Sequence, residues 1–176
     1  MIDLNDYRRL LDENLNNALK LLEGLSDEQL VWAQDDQWSL LQIAEHILLT
    51  EEMVMGILAK GSVDLAGRLE LFGSEKLNHL LVTLRKRKVK APVSLEPQGS
   101  IRSAQEFNEA MAALRQQLIG HLESGEWMIS TESYTHPMLG EMTVSDWLYF
   151  ILHHSERHQH QMRDLLREMK GLTEDL

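Results

Sequence analysis

The sequence predicts an all-α protein, a bundle of four long helices, and three observations carry that reading. Apolar residues recur at spacings of three and four in four separate segments, polar capping patterns precede the segments, and almost no stretch alternates apolar with polar as a strand does.

The first helix carries Leu4, Tyr7, Leu11, Leu15, Ala18 and Leu22 on one face, with Gly24 as its stop. Ser26 followed by Gln29 is a capping-box pattern for a short helical turn, after which a polar connector runs from Trp32 to Trp38. Ser39 and Gln42 repeat that pattern at the start of the second long helix, whose apolar face takes in Leu40, Ile43, Ile47, Val54 and Ile57.

Residues 61 to 102 form a crossover. Leu65, Leu69, Leu77, Leu80, Leu81 and Leu84 suggest one or two helices interrupted near Gly73 and Ser74, and Pro92, Pro97 and Gly99 then break any continuous helix. A crossover of this length is expected to join a parallel first pair of helices to a second pair. The third long helix follows Ser103 and Glu106, carries Phe107, Met111, Leu114, Leu118 and Leu122, and stops at Gly125. A polar loop with His136, Pro137 and Gly140 leads to Thr143 and Asp146, another reciprocal cap, and to a fourth helix running from Trp147 to Met169 and closed by Gly171.

One domain spanning 1–176 accounts for the chain: 43% hydrophobic and 26% charged residues are the balance of a folded domain, and the few prolines and glycines are scattered rather than massed in a linker. The absence of cysteine excludes disulfides, thiolate metal sites and cysteine nucleophiles, leaving histidine, carboxylate, hydroxyl and amide chemistry. A net charge of -11 repels nucleic acids and anionic membranes, so neither is an expected partner. The basic run Arg85-Lys86-Arg87-Lys88 with Lys90 lacks interleaved aromatics and is expected to be solvated surface. The amino terminus has no signal-peptide pattern and no segment holds about 18 uninterrupted apolar residues, so a cytoplasmic location is expected.

The chemistry lies in the histidines. His154 and His158 are four apart, hence about 6 Å along the axis and on one helix face, where both imidazoles can approach one cation. The spacing alone equally describes an exposed helical pair. His46, flanked by Ile43 and Ile47 on the apolar side of the second helix, is the best third donor, whereas His153 and His160 point off the stripe. Three neutral imidazoles suit zinc, nickel, cobalt or iron and leave coordination positions for water or substrate.

WSLLQIAEH at 38 to 46 and HPMLGEMTVSDWLYFILHHSERHQHQM at 136 to 162 resemble the DinB-like (DinB/YfiT-like) metalloprotein superfamily. W-S before a helix histidine, then H-P-x-x-G-x-x-T and H-x-x-R-H-x-x-Q, form a joint pattern more specific than its parts. The resemblance implies metal ligands at His46, His154 and His158, an up-up-down-down bundle, a divalent metal near one end, zinc or nickel foremost, and frequently a homodimer. It implies a metal-dependent enzyme acting on a small molecule, by transfer of a low-molecular-weight thiol to an electrophile. A metal-dependent hydrolase and a noncatalytic metal-binding bundle with a ligand-binding or association role are the alternatives.

Around this set, Glu51, Glu52 and Glu156 are candidates to orient water or an imidazole. Arg157 is a candidate for ion pairing or packing, and Gln161 for orienting an imidazole. His136 is placed by its H-P context either at the metal mouth or in a loop-start hydrogen bond. Trp38 and Trp147 are expected to pack the starts of the ligand-bearing helices.

Overall fold

Of four expected capping patterns, three form in full. Ser26 with Gln29, Ser39 with Gln42 and Thr143 with Asp146 each exchange two hydrogen bonds between side chain and backbone. At the fourth, Ser103 accepts from the Glu106 N–H, but the Glu106 carboxylate reaches the N–H of Arg102 instead. Each pattern satisfies N–H groups that a helix start leaves without partners.

The computed structural model describes residues 3–59, 71–87, 89–124, 134–136 and 138–171. Four long helices dominate, α1 (Leu4–Lys20), α3 (Leu40–Ala59), α5 (Ala104–Ser124) and α6 (Val144–Met169), with short helices α2 (Asp27–Val31) and α4 (Gly73–Asn78) between them. A π-helical turn, His79–Thr83, continues α4, and a 3-10 turn, Val93–Leu95, precedes α5. No described helix is long and apolar enough to cross a membrane. The stretch holding Leu65 and Leu69, the stop at Gly125, Lys88 and Pro137 lie outside the described residues.

The protein is an all-α bundle in which α1 and α3 each pack against both α5 and α6. Two apolar clusters fix the helix directions. One joins Tyr7 and Leu11 of α1, Val54 and Leu58 of α3, Leu118 of α5 and Trp147 and Ile151 of α6. The other joins Ala18 with Leu40 and Ile43, Phe107 and Met111, and Met162 and Leu165. The start of α1 and the start of α6 therefore share an end with the finish of α3 and of α5. Tyr7 donating to the Leu148 carbonyl and Asn14 to that of Leu152 confirm that α1 and α6 run parallel.

The order is thus up-down-down-up, which corrects the expected up-up-down-down arrangement. The expected parallel first pair, α1 and α3, is antiparallel, and the long crossover joins α3 to an α5 that runs parallel to it. The connection carrying α2 turns the chain back after α1, with Gly24 at φ +71° in the left-handed conformation that ends helices. A second correction concerns 134–142. The expected polar loop is a hairpin, β1 (Tyr134–His136) antiparallel to β2 (Gly140–Met142), its strands too short for alternation to register in the sequence.

Asp146 does more than cap α6. Its carboxylate also accepts the N–H groups of Leu71, Phe72 and Gly73, so one buried side chain ties the start of α6 to the start of α4.

Candidate metal centre

The cap at Ser39 sets the phase of α3 so that Ile43, His46 and Ile47 all face inward. On α6, His154 and His158 lie between Ile151 and Met162, which belong to the two different apolar clusters. His46 on α3 meets them from among Ile43, Ala44 and Ile47 of the second of these clusters. His46 and His158 are 4% and 8% exposed and His154 is half-buried.

The ring centroids of His46 lie 5.1 Å from His154 and 4.6 Å from His158, and those of His154 and His158 are 4.5 Å apart. One candidate ligand atom from each ring falls within 4.8 Å of the other two. The facing Nε2 atoms of His154 and His158 are 3.2 Å apart.

Hydrogen bonds decide which nitrogens are available. His46 Nδ1 is 2.8 Å from the Leu95 carbonyl oxygen, which only accepts, so Nδ1 carries the proton and Nε2 keeps its lone pair. His158 Nδ1 is 2.9 Å from Gln161 Oε1, an acceptor as the amide is oriented, with the same consequence. Such outer partners hold a ring's tautomer and orientation for a metal.

All three rings are kept neutral. Burial lowers the pKa of His46, against a smaller opposing effect of the Leu95 hydrogen bond. Burial first, then His158, His46 and Arg157, push His154 well below its ordinary value. Burial and the neighbouring His46 lower His158 to about 3. Neutral imidazole is the metal-binding form, so the environment that disfavours protonation favours a cation.

The donor set fits a divalent metal. Bonds of about 2.0–2.1 Å in tetrahedral geometry place ligand nitrogens about 3.3–3.4 Å apart, close to the His154 and His158 spacing. Three protein donors leave a position open, the pattern of a catalytic rather than a closed structural site.

The surrounding candidates separate. Gln161 orients His158, one of the roles its placement suggested. His136 stands by the set through Phe150, whose ring is 5.1 Å from His136 and stacks on His154 at 5.3 Å. The His136 Nδ1 accepts the N–H groups of Met138 and Leu139, both at 3.1 Å, so it holds the hairpin turn and its Nε2 carries the proton. Trp38 packs 4.8 Å from His46, and Trp147 is buried in the apolar cluster at the start of α6.

Arg157 donates to the carbonyls of Leu81 and Arg87, binding the segment after α4 to α6. Glu51 is occupied elsewhere: both its oxygens accept from the buried Arg115, at 2.6 and 3.0 Å, and Arg115 also donates to the Leu11 carbonyl and Asn14. Glu156 accepts from Asn78 and lies 3.3 Å from His153, whose other ring nitrogen meets Ser74. Glu52 is exposed. Among the described residues the candidate carboxylates are thus bound away from the three rings or turned to solvent.

Two contributors escaped the sequence reading. Leu95 acts through its carbonyl, which leaves no side-chain signature. Phe150, four residues before His154, was open to detection from helical spacing alone.

The chain matches the DinB superfamily over residues 10–162. It is 29% identical over 150 residues to the uncharacterized protein YuaE of Bacillus subtilis (strain 168), covering 85% of this chain and 90% of that protein. No solved structure matches. With a three-histidine cluster consistent with metal binding and a family match along most of its length, the chain belongs to the DinB superfamily.

Proposed function

We propose that the protein is a divalent-metal-dependent enzyme, zinc or nickel foremost, that transfers a small thiol to an electrophilic small molecule. The observation that carries this reading is the convergence of three neutral imidazoles from α3 and α6, two with the Nδ1 proton engaged outward. A metal held there supplies Lewis-acid charge that keeps a thiol as thiolate near neutral pH.

The chain's own part is to hold that set. Burial keeps the rings unprotonated, Leu95 and Gln161 keep Nε2 of His46 and His158 directed inward, and Phe150 and Trp38 wall two of the rings. The thiol comes from outside, since the chain has no cysteine. Its sulfur forms a bond to the electrophilic carbon as that carbon's bond to a halide or epoxide oxygen breaks, the electron pair going to the halide, which departs, or to the oxygen, which stays attached and takes up a proton; the thiol proton passes to solvent.

Thiol transfer is preferred to hydrolysis because a hydrolase of this kind commonly needs a base beside the attacking water. Glu51 and Glu156 are engaged by other partners. The test is product analysis by mass spectrometry after incubating metal-loaded protein with a low-molecular-weight thiol and a panel of epoxides and alkyl halides. A thioether whose formation needs thiol and metal and is lost in His158→Ala supports the reading. Conversion in water without thiol establishes the hydrolase, and no conversion leaves a binding protein.

A further inference from the structure

Glu45, immediately before His46, is 1% exposed, and a buried carboxylate of this kind needs compensating donors. It finds four, all on the crossover: one oxygen accepts the N–H of Gln98 at 2.9 Å and of Ser100 at 3.1 Å and the Ser100 hydroxyl at 2.8 Å, and the other accepts the Gly99 N–H at 2.8 Å. Three successive N–H groups can converge on one carboxylate because Gly99 turns the chain at φ +82°, a conformation strained for any side chain.

Three residues upstream of Gln98 is Leu95, the carbonyl that fixes the His46 ring. Leu95 is buried at the end of its 3-10 turn, and this turn packs against α3. Adjacent residues of α3 thus grip the same piece of crossover: the Glu45 carboxylate holds 98–100, and His46 Nδ1 donates to 95. The two anchors form a closed loop of contacts from α3 to the crossover and back. None of the crossover groups is itself a candidate ligand.

We propose that Glu45 is a positioning residue for the metal centre, clamping the 98–100 turn so that the Leu95 carbonyl holds His46 with Nε2 open to the metal. The proposal rests on the reading of His46 as a ligand. It makes the crossover part of the site, so that metal occupancy and crossover order are coupled.

The test measures zinc affinity of the full chain by chelator competition, with the His46 ring of the metal-free protein followed by 15N NMR. Glu45→Ala should weaken zinc binding about 10- to 100-fold, the range for lost outer partners of a ligand, and remove the Nδ1–H signature of His46. Glu45→Gln keeps one acceptor oxygen and should fall between wild type and Glu45→Ala. Ser100→Ala, which removes one of the four donors, should show the smallest loss.

Leu118→Ala, a core truncation in the other apolar cluster, controls for general destabilisation. The proposal is overturned if Leu118→Ala weakens zinc as much as Glu45→Ala does, or if folded Glu45→Ala keeps wild-type affinity and ring signature. Should Glu45→Ala fail to fold, Glu45→Gln and Ser100→Ala decide by the same two readouts. Failure of the ligand reading itself is distinguishable, because His46→Ala would then leave zinc affinity unchanged.

Discussion

His158 and His154 face each other Nε2 to Nε2 at 3.2 Å, one helical turn apart on α6. Two neutral imidazoles so placed either share one proton or present two lone pairs to a cation. The Nδ1 proton of His158 is already committed to Gln161, so its Nε2 offers a lone pair, either to a proton on His154 Nε2 or to a cation. Gln161→Ala should therefore lower metal affinity about 10- to 100-fold while leaving stability within about 1 kcal/mol. Metal competition alongside chemical denaturation checks both parts, and equal affinity in the variant would count against an orienting role.

Acid should destabilise the metal-free protein through these rings. His46, His154 and His158 have lowered pKa values in the folded state, so the unfolded chain binds more protons and stability rises with pH. For His158 the contribution is complete above its ordinary value of 6.5 and is lost progressively as pH falls toward about 3. Denaturant midpoints measured across that window should fall with acidification, and by less in His158→Gln. A midpoint independent of pH below 6.5 in wild type would show that the rings are not held neutral.

Glu51 and Arg115 are a test of structure rather than chemistry. Burial lowers the Arg115 pKa, but Glu51 beside it raises it further, so the guanidinium stays charged. Arg115→Met strands a buried carboxylate and should cost about 3–5 kcal/mol, whereas Glu51→Leu with Arg115→Met should recover much of that loss. Denaturation gives the energies, and a double variant that retains zinc affinity confirms that Glu51 has no part at the metal.

Asp146→Ala keeps the bond from the residue 146 N–H to the Thr143 hydroxyl but removes the return half of the α6 capping box, orphaning the N–H groups of Thr143, Leu71, Phe72 and Gly73. A loss of about 2–4 kcal/mol is expected. Hydrogen exchange should localise it, with those amides exchanging faster than the middle of α1.

His136 should be the Nε2–H tautomer, because two backbone N–H groups donate to its Nδ1. Ring 15N shifts of the metal-free protein report this directly. An Nδ1–H signature would mean that the hairpin turn is held in some other way.

What the sequence disclosed was local. The pairs Ser39 with Gln42 and Thr143 with Asp146 act within one turn of chain, and their caps form as expected. His154 and His158 were legible because helical spacing alone puts them together, and His46 because Ile43 and Ile47 mark the inward face of its helix. Helix direction was not legible: it depends on which end of α3 meets Trp147, a contact between residues about ninety positions apart that no local pattern encodes. The second task of Asp146 was hidden for the same reason, as its partners lie 73 to 75 residues away and offer only backbone. Leu95 likewise contributes a carbonyl that any residue would bring.

The most direct measurement is an anomalous-scattering crystal structure of the protein loaded with one equivalent of zinc, with His158→Ala treated identically. The account predicts one anomalous peak in wild type, bonded to His46, His154 and His158 with a coordination position open to solvent, and no peak there in the variant. A peak elsewhere, or zinc retained at full occupancy in His158→Ala, would contradict it.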